Sequence, residues 1–252
     1  MSIYSRGASA VALAATLAFA IGSTAVTAKS HDVPKPVAAA VADTARPQAD
    51  RDRDAGRKPA ESVAFTGLKA GDRVADLLPD GGYFTRIFSA VVGPKGQVFA
   101  VAPPKRPDAP ADRPEPAAAV RAIAADEHYK NVTVTISPLA ELKLPEKLDL
   151  VWTSNNYHDV HNVPNIDVGA FNKAVFDSLV PGGIYIVSDH AAEKGSGFEA
   201  TSTLHRVEPD AVKAEVIAAG FEFVGSSDVL ANAADDHKAR VFEQCLRDNT
   251  DR

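Results

Sequence analysis

Six short apolar segments alternate with longer amphipathic ones between residues 59 and 229, and this alternation constrains the fold more than any other feature. Most of the apolar segments are runs of Val, Ile, Leu, Ala and Phe that lack the regular polar residues of a half-exposed strand. Such runs are typical of strands that are covered on both faces of a parallel sheet. We therefore predict an α/β fold with a doubly wound, mostly parallel sheet and right-handed crossovers.

The predicted elements follow one another with glycine or proline at many of their boundaries. The predicted strands are 73–78, 97–102, 132–136, 148–153, 184–188 and 221–229. The predicted helices are 60–66, 83–92, 117–127, 168–179 and 209–219. The stretch 103–116 contains six prolines, which cannot donate to a backbone ladder, so it is predicted to be a surface loop.

The composition fits a globular domain and argues against several classes of protein. Apolar residues make up 45% and charged residues 24% of the chain, which is ordinary for a globular protein. The net charge of −6 provides no excess of cations for binding nucleic acid through its phosphates. The single Cys245 excludes an internal disulfide and a cysteine-rich zinc site. We expect a small-molecule substrate and no nucleic-acid partner.

The N-terminus has the pattern of a secretory signal peptide. Arg6 supplies a positive charge, an apolar run covers 8–21, and small residues lead up to Ala28. We predict cleavage after Ala28 and a mature protein that is periplasmic or secreted, with no stable membrane association. An uncleaved membrane anchor is the alternative, although the run is short beside the ~20 residues of a spanning helix.

Two further segments complete the predicted organisation. Residues 29–57 combine charged residues, prolines and alanines with little apolar surface, and are predicted to be a flexible linker. Residues 58–252 are predicted to form the α/β domain. In such a domain ligands bind beyond the carboxyl ends of the strands, so the residues that follow each strand are the candidates for function.

An acid and a glycine-bearing turn follow the first predicted strand of this domain. The sequence from Asp76 to Tyr83, DLLPDGGY, has the plan of a nucleotide-binding corner, in which a strand leads through a turn into a helix. The glycines let the backbone approach a ligand, and the helix N-terminus favours anionic groups. A tight turn that needs glycine only for its own geometry is the alternative.

Several stretches together resemble the class I S-adenosylmethionine-dependent methyltransferases. Residues 76–83 resemble the first motif of that family, and 148–152 (LDLVW) resemble its fourth-strand motif. Residues 179–190 (LVPGGIYIVSDH) resemble its L-x-P-G-G turn into the fifth strand. The segments 155–159 (NNYHD) and 203–209 (TLHRVEP) resemble a bacterial subgroup of predicted methyltransferases that carry signal peptides.

The resemblance covers about residues 57–252 and implies a Rossmann-like methyltransferase fold with S-adenosylmethionine as cofactor. It implies that five residues of the first motif shape the cofactor pocket. These residues are Asp76, Pro79, Gly81, Gly82 and Tyr83.

Several positions depart from the pattern of the family. Its three glycines in the first motif correspond here to Leu78, Asp80 and Gly82. Ala102 replaces the acid that ends the second strand and binds the ribose, and losing such a charge-assisted hydrogen bond costs about 1.5–3 kcal/mol. The third strand leads to Ser137, where the family has an acid near the adenine.

The C-terminal part departs from the family as well. The methyltransferase fold closes with a hairpin of its sixth and seventh strands, but residues 231–252 are mostly polar and predict no seventh strand. We expect either a truncated C-terminus or a sheet with an open gap or edge, which is a liability in a folded protein.

Histidines and acids cluster after the fourth and fifth predicted strands. His158 and His161 follow the fourth strand, His190 ends the fifth, and His205 lies on the loop after it. Because these strands are neighbours in the fold, their ends are expected to meet beside a methyl acceptor. Histidine is suited to a general base because its unperturbed pKa is close to 6.5.

These positions give the predicted acceptor side of the site. We predict catalytic roles for His158, His190 and Asp159. We predict substrate binding by Asn155, Asn156, His205 and Arg206. A metal site built from His158, His161 and His190 is a second interpretation. Loop histidines and turn asparagines that only satisfy local hydrogen bonds are a third.

The sequence favours an exported S-adenosylmethionine-dependent methyltransferase whose acceptor it does not identify. A methyltransferase-like scaffold that binds another small molecule without methyl transfer is the first alternative, because Ala102 removes the ribose contact. A metal-dependent enzyme built on the histidine cluster is the second.

Overall fold

A computed structural model of the chain describes residues 2–7, 32–144, 147–244 and 246–252. The predicted apolar run and the predicted cleavage position after Ala28 lie outside these ranges, as does Cys245. None of the helices in the described ranges is both long and apolar enough to cross a membrane.

The described residues form seven strands and nine α-helices. The strands are β1 (Ser2–Gly7), β2 (Arg73–Leu77), β3 (Gln97–Ala102), β4 (Val132–Ile136), β5 (Leu148–Ser154), β6 (Leu179–Ser188) and β7 (Phe221–Ser227). The helices are α1 (Lys35–Val41), α2 (Gln48–Arg51), α3 (Asp54–Arg57), α4 (Pro59–Thr66), α5 (Tyr83–Val92), α6 (Ala118–Ala124), α7 (Tyr157–Val160), α8 (Val168–Ser178) and α9 (Pro209–Ala218).

Each strand and helix predicted after residue 58 is present, most within a few residues of its predicted bounds. Helix α6 ends at Ala124, because Asp126 starts a 3-10 turn in which its side chain accepts a hydrogen bond from the His128 backbone N–H. Strand β6 begins five residues before its predicted start, since Leu179 pairs with Leu148 ahead of the glycine turn. Its register shifts at that point.

The seven strands form one sheet in the order β4-β3-β2-β5-β6-β1-β7. Strands β2 to β6 pair in parallel, whereas β1 is antiparallel to both of its neighbours. The predicted doubly wound, mostly parallel sheet is confirmed. The strand order reverses between β2 and β5, so the residues that follow these strands lie at the switch point where ligands bind.

The place between β6 and β7 is filled from the N-terminus of the chain. Ser2 to Arg6 pair with Ile184 to Ser188 of β6, and residues 2–7 pair on their other side with β7. The described residues after β7 contain no strand, as predicted. The expected open gap is nevertheless absent from the described sheet, because Ser2–Gly7 supplies partners for backbone groups of both neighbours.

Removing residues 1–28 is expected to release β7 from the sheet, since β1 is its only strand partner among the described residues. We expect the backbone amides of β7 to exchange with solvent about tenfold faster or more in a 29–252 protein than in the full chain. Hydrogen–deuterium exchange with mass spectrometry measures this. The amides of β3 serve as the internal control, and equal protection of β7 in both proteins would show that β1 does not hold it.

The residues before the domain are helical, where the sequence predicts a flexible linker. Helix α1 begins with proline in its first turn, a favoured position, and buries Val37 and Ala40 against α5 and its neighbours. Ala38 and Ala39 are exposed, and Val37 and Ala40 attach the helix to the domain.

The charged run around residue 50 is paired rather than solvated. Arg46 is fully buried and binds Asp54 at 2.7 Å. Arg86 of α5 binds Asp50 at 3.2 Å, and the Tyr83 hydroxyl donates to Asp54. These contacts fix α2 and α3 beside the N-terminus of α5, which is the helix that follows the predicted cofactor loop.

Two apolar cores cover the two faces of the sheet. On one face α5 packs Phe84 and Phe88 against Trp152 of β5, with ring centroids 4.7 and 5.5 Å from the indole. On the other face α8 and α9 bury Phe171 and Val212. The carboxyl ends of the parallel strands, between these two cores, are the place where such a sheet binds ligands.

Candidate active site

The site has two parts that meet at the carboxyl edge of β2, β5 and β6. One part is the loop from Asp76 to Tyr83, which follows β2. The other is the histidine cluster, whose members follow β5 and β6. Because these three strands are adjacent and parallel, their ends bring the two parts together.

The loop after β2 has a left-handed backbone at the three positions that are glycine in the methyltransferase motif. The φ angles are +55° at Leu78, +47° at Asp80 and +76° at Gly82. A left-handed conformation costs a residue other than glycine roughly 1–2 kcal/mol. The conformation of the glycine motif is therefore retained although two of its three glycines have been replaced.

Neighbouring strands hold the loop in this conformation. The Leu78 N–H donates to the Val101 carbonyl of β3 at 2.9 Å. The Asn156 amide donates to the Leu78 and Leu77 carbonyls at 2.9 and 3.3 Å, and its oxygen accepts from the Thr153 hydroxyl. Asn156, predicted to bind substrate, thus joins the end of β5 to the loop as a positioning residue.

Asn155 lies at the end of β5 with a φ of +59°. Its N–H donates to the Ser188 carbonyl at 2.7 Å, and its side-chain oxygen is buried without a hydrogen-bond partner among the described residues. A buried acceptor without a partner costs free energy. The Asn155 side-chain oxygen is therefore a buried acceptor that the described residues do not satisfy.

Asp76 lies buried beneath the loop. Its carboxylate accepts a hydrogen bond from the Thr85 hydroxyl at 2.6 Å. Burial raises the pKa of Asp76 to about 7, against the opposing effect of the Thr85 hydrogen bonds and of Arg57. Burial thus disfavours the charged form of this carboxyl group.

Pro79, Gly81, Gly82 and Tyr83 complete the loop. Pro79 accepts the Gly82 N–H at 2.8 Å through its carbonyl. Gly81 is exposed, while Gly82 and Tyr83 are buried. Gly82 caps α5, so the N-terminus of that helix faces the edge of the sheet where a ligand would lie.

Gly82→Ala is expected to destabilise the loop. A Cβ at Gly82 would overlap the end of the Ile123 side chain, and the φ of +76° is unfavourable for alanine. We expect a loss of about 1–2 kcal/mol in the free energy of unfolding, measured by urea denaturation. Gly81→Ala is the matched control, because its Cβ would meet open space and its stability should change by no more than about 0.5 kcal/mol. Equal effects of both substitutions would contradict the role of the left-handed backbone.

His158 and Asp189 form a buried pair between the ends of β5 and β6. His158 Nδ1 lies 2.8 and 3.0 Å from the two Asp189 oxygens, and the His158 N–H donates to the same carboxylate at 2.7 Å. Burial lowers the pKa of His158, but the charge of Asp189 outweighs it and the pKa lies above its ordinary value. Burial alone would raise the pKa of Asp189, but the charge and hydrogen bonds of His158 outweigh burial and hold that pKa below its usual range.

The other nitrogen of His158 faces two further groups. His158 Nε2 lies 3.3 Å from His205 Nδ1 and 3.5 Å from an Asp159 oxygen. His205 Nδ1 is 3.6 Å from the same oxygen. His205 adopts a φ of +57°. Burial and the charge of His158 lower the pKa of His205.

His190 and His161 have other partners, although the ring centroid of His190 is 5.9 Å from that of His158. His190 Nδ1 lies 2.6 Å from the Thr250 hydroxyl, and burial lowers the pKa of His190 to about 3, so it is neutral at physiological pH. His161 lies 3.1 Å from Glu215 and stacks on Phe198 at 3.9 Å. The metal site of His158, His161 and His190 that the sequence suggested is therefore not assembled.

Arg206, predicted to bind substrate, is fully buried away from the acceptor side. It makes two 2.9 Å bonds with Asp235, and it donates to the carbonyls of Ala191 and Ala239. These contacts attach the C-terminal segment to the loop after β6. Arg206 was predicted to bind substrate because it is adjacent to His205 in the sequence. In the structure the two side chains face different directions, His205 toward His158 and Arg206 toward Asp235.

Segments from both ends of the chain cover the edge of the sheet. Asp248 binds Arg53 at 2.8 Å and Arg57 at 2.9 Å, and these arginines hold its pKa at about 2 although burial opposes ionisation. Arg252 donates to the Gly56 carbonyl at 2.8 Å. Sequence reasoning missed these contacts, since nothing local in the sequence links residues almost 200 positions apart.

The strand order and the strand–turn–helix corner at its centre define the class I methyltransferase fold. The structure is similar to a SAM dependent methyltransferase from Aquifex aeolicus, with a TM-score of 0.53 and 20% identity over 67% of this chain and 82% of that one. It is also similar to an arsenic(III) S-adenosylmethionine methyltransferase from Chlamydomonas reinhardtii, with a TM-score of 0.51 and 20% identity over 74% of this chain and 62% of that one. At this identity the likeness shows the fold alone. No protein-family model and no curated protein sequence matches the chain.

Proposed function

We propose that the protein is an exported S-adenosylmethionine-dependent methyltransferase that acts on a small molecule. The observation that carries this proposal is the loop after β2, which keeps left-handed backbone at Leu78, Asp80 and Gly82. Strained residues persist only where the surrounding structure holds them, and they concentrate at functional sites. Four of the eight non-glycine residues with positive φ in the described ranges, Leu78, Asp80, Asn155 and His205, belong to this one edge of the sheet.

The residues fit the amino-acid end of the cofactor better than its adenosine end. Gly81, Gly82 and the N-terminus of α5 offer backbone to the methionine part, with Asp76 below them. At the end of β3, Ala102 is buried and offers no acid to the ribose. The Ser137 hydroxyl is engaged with the Lys143 N–H at 3.0 Å. When bound, S-adenosylmethionine would supply a sulfonium methyl group that a nucleophile on the acceptor attacks.

His158 is the proposed general base for the acceptor. Its Nδ1–H donates to Asp189, which fixes the tautomer and leaves Nε2 to accept a proton. Asp189 also strengthens the base, because it raises the pKa of His158 despite burial. An acceptor hydroxyl, thiol or amine beside Nε2 would lose its proton as the methyl group arrives.

The surroundings of Nε2 favour a small acceptor with one polar nucleophile and an apolar body. Asp159 and His205 place two polar groups within 3.6 Å of Nε2. The Phe242 ring lies 4.7 Å from His205 and is 67% exposed. An exposed aromatic ring beside a polar cluster suits a partly apolar ligand.

Formation of S-adenosylhomocysteine tests the proposed activity. The full chain would be incubated with the cofactor and a small-molecule extract of bacterial envelopes, and the product measured by mass spectrometry. We expect product that depends on both extract and enzyme, together with a methylated compound of 14 mass units more than its precursor, about the mass of one CH₂. Product formation equal to that of the His158→Gln variant would contradict the proposal.

Export is proposed from the signal pattern before Ala28. The N-terminal residue of protein isolated from the cell envelope tests it, and we expect Lys29. Cleavage there would also remove β1, so β7 of the mature protein would be held by α9 and by the packing of Phe221 on Phe176 and Tyr185. An intact Ser2 in the isolated protein would instead favour retention of β1 in the sheet.

A further inference from the structure

Three side chains at the carboxyl edge of β5 and β6 have the chemistry and spacing of a metal site. We infer that His158, Asp159 and His205 bind a divalent transition metal, for which Zn²⁺ is the best match. The ligand atoms are His158 Nε2, His205 Nδ1 and an Asp159 oxygen, which lie 3.3, 3.5 and 3.6 Å apart. This inference does not depend on the proposed methyl transfer and adds a metal site to it.

The spacing matches the bond lengths of zinc. Zn²⁺ binds imidazole nitrogen and carboxylate oxygen at about 2.0–2.2 Å, so two such ligands in a tetrahedron lie about 3.3–3.5 Å apart. The point equidistant from the three atoms of this triangle is about 2.0 Å from each of them. The three groups can therefore ligate a zinc ion without moving their side chains far.

The surroundings of His158 provide the outer contact that metal-binding histidines have. Such histidines usually donate their other ring N–H to a carboxylate, which fixes the tautomer and the ring orientation. Here Asp189, itself buried, accepts from His158 Nδ1 at 2.8 Å and from the His158 backbone N–H at 2.7 Å. The Nε2 lone pair is thereby directed away from Asp189 and toward the other two ligands.

The backbone brings His205 to the same point. The loop after β6 returns to the sheet through bonds from the Ala192 N–H to the Val207 carbonyl and from the Val207 N–H to the His190 carbonyl, at 3.0 and 2.9 Å. At His205 the φ of +57° turns the chain, and the two imidazole rings meet edge to face at 5.2 Å. A strained residue that closes a ligand triangle has a physical reason to be retained.

The three ligands leave a position for a fourth. His158 is buried, whereas the side chains of His205 and Asp159 are 21% and 50% exposed, so the open side of the site faces solvent. Three protein ligands with an open fourth position are typical of catalytic zinc. A metal there would lower the pKa of a bound water or acceptor hydroxyl. In the metal-bound protein His158 Nε2 would be a ligand, so the metal would take over the activation of the acceptor from His158.

Zinc titration of the full chain tests the site without any cofactor. Metal-free protein would be titrated with Zn²⁺ by calorimetry, and with Co²⁺ by visible absorption, which reports tetrahedral coordination. We expect one ion per chain in this site, about 100-fold weaker binding for Asp159→Asn and His205→Ala, and 10- to 100-fold weaker binding for Asp189→Asn. Asp159 is half exposed, so its variant should fold as the wild type does, which circular dichroism checks.

His161→Ala is the matched control. His161 is three residues from His158 but contacts Glu215 and Phe198, so its loss should leave the affinity for zinc unchanged. No zinc binding by folded wild-type protein would overturn the inference. So would equal losses for His161→Ala and Asp159→Asn, because zinc would then be bound elsewhere. Either result leaves the proposed methyl transfer open to its own test.

Discussion

His158→Gln should lower kcat for methyl transfer by about 10²–10⁴-fold, the usual contribution of a positioned general base. The pair of His158 with Asp189 holds Nε2 at the acceptor side, and glutamine can fill the space but cannot take a proton. We expect KM for the cofactor to change little, because the proposed cofactor loop after β2 is held by Asn156 and not by His158. Initial rates of S-adenosylhomocysteine formation measure both constants.

The pH profile separates this role from a merely structural one. Asp189 raises the pKa of His158, so the rate should rise with pH through a pKa above the ordinary 6.5 and then level off. The glutamine variant should lose this rise. His161→Gln is the control of the same residue type, expected to keep both rate and profile. An unchanged profile in His158→Gln would show that another group takes the proton.

Arg206→Met should cost about 3–5 kcal/mol in the free energy of unfolding. Arg206 and Asp235 are both buried and bind each other through two hydrogen bonds of 2.9 Å. Removing the arginine leaves the buried Asp235 carboxylate without its cation, with the backbone N–H groups of His237 and Asp251 as its remaining donors, and losing one partner is the costly way to break a buried pair. Urea denaturation monitored by the fluorescence of Trp152 measures the loss.

A double variant distinguishes this explanation from simple loss of packing. In Arg206→Met with Asp235→Leu no buried charge is left alone, so much of the stability should return. Arg240→Met, at an exposed position two residues from Phe242, should change the stability by no more than about 0.5 kcal/mol. A stable Arg206→Met protein with weaker substrate binding would instead restore the substrate role that the sequence suggested.

The sequence predicts the domain well because its elements are encoded locally. Strand 97–102 is an almost continuous apolar run, strand 132–136 alternates valine with threonine, and helix 83–92 has an apolar stripe that ends at glycine. These signals require only neighbouring residues. The placement of Ser2–Gly7 between β6 and β7 has no such signal, since pairing partners some 180 residues away decide it.

The sequence predicts which residues lie near the site better than it predicts the directions of their side chains. The strand ends bring His158 and Asp159 to the edge beside β6, because parallel strands end at one edge, and the loop after β6 brings His205 to them. The direction of each side chain is not encoded so simply. His158 and His161 are both near the single turn of α7, yet one faces Asp189 and the other Glu215.

Backbone conformation explains why the first motif was hard to interpret. Leu78 and Asp80 look like lost glycines in the sequence, but both retain the left-handed φ that glycine would favour. Contacts from Val101 and Asn156 stabilise this conformation, and such contacts follow only from the folded structure. At the end of β3, by contrast, Ala102 is buried and carries no carboxylate.

Calorimetric titration of the full chain with S-adenosylmethionine tests the central claim most directly. The loop after β2 predicts one cofactor site per chain. The expected dissociation constant is in the micromolar range, which corresponds to a binding free energy of about −8 kcal/mol, or weaker because Ala102 offers no contact to the ribose. Gly82→Ala should weaken it, because the substitution disturbs the left-handed backbone of the loop. Absence of binding to folded protein at about 1 mM cofactor, near −4 kcal/mol, would contradict the claim and leave a methyltransferase-like scaffold with another ligand.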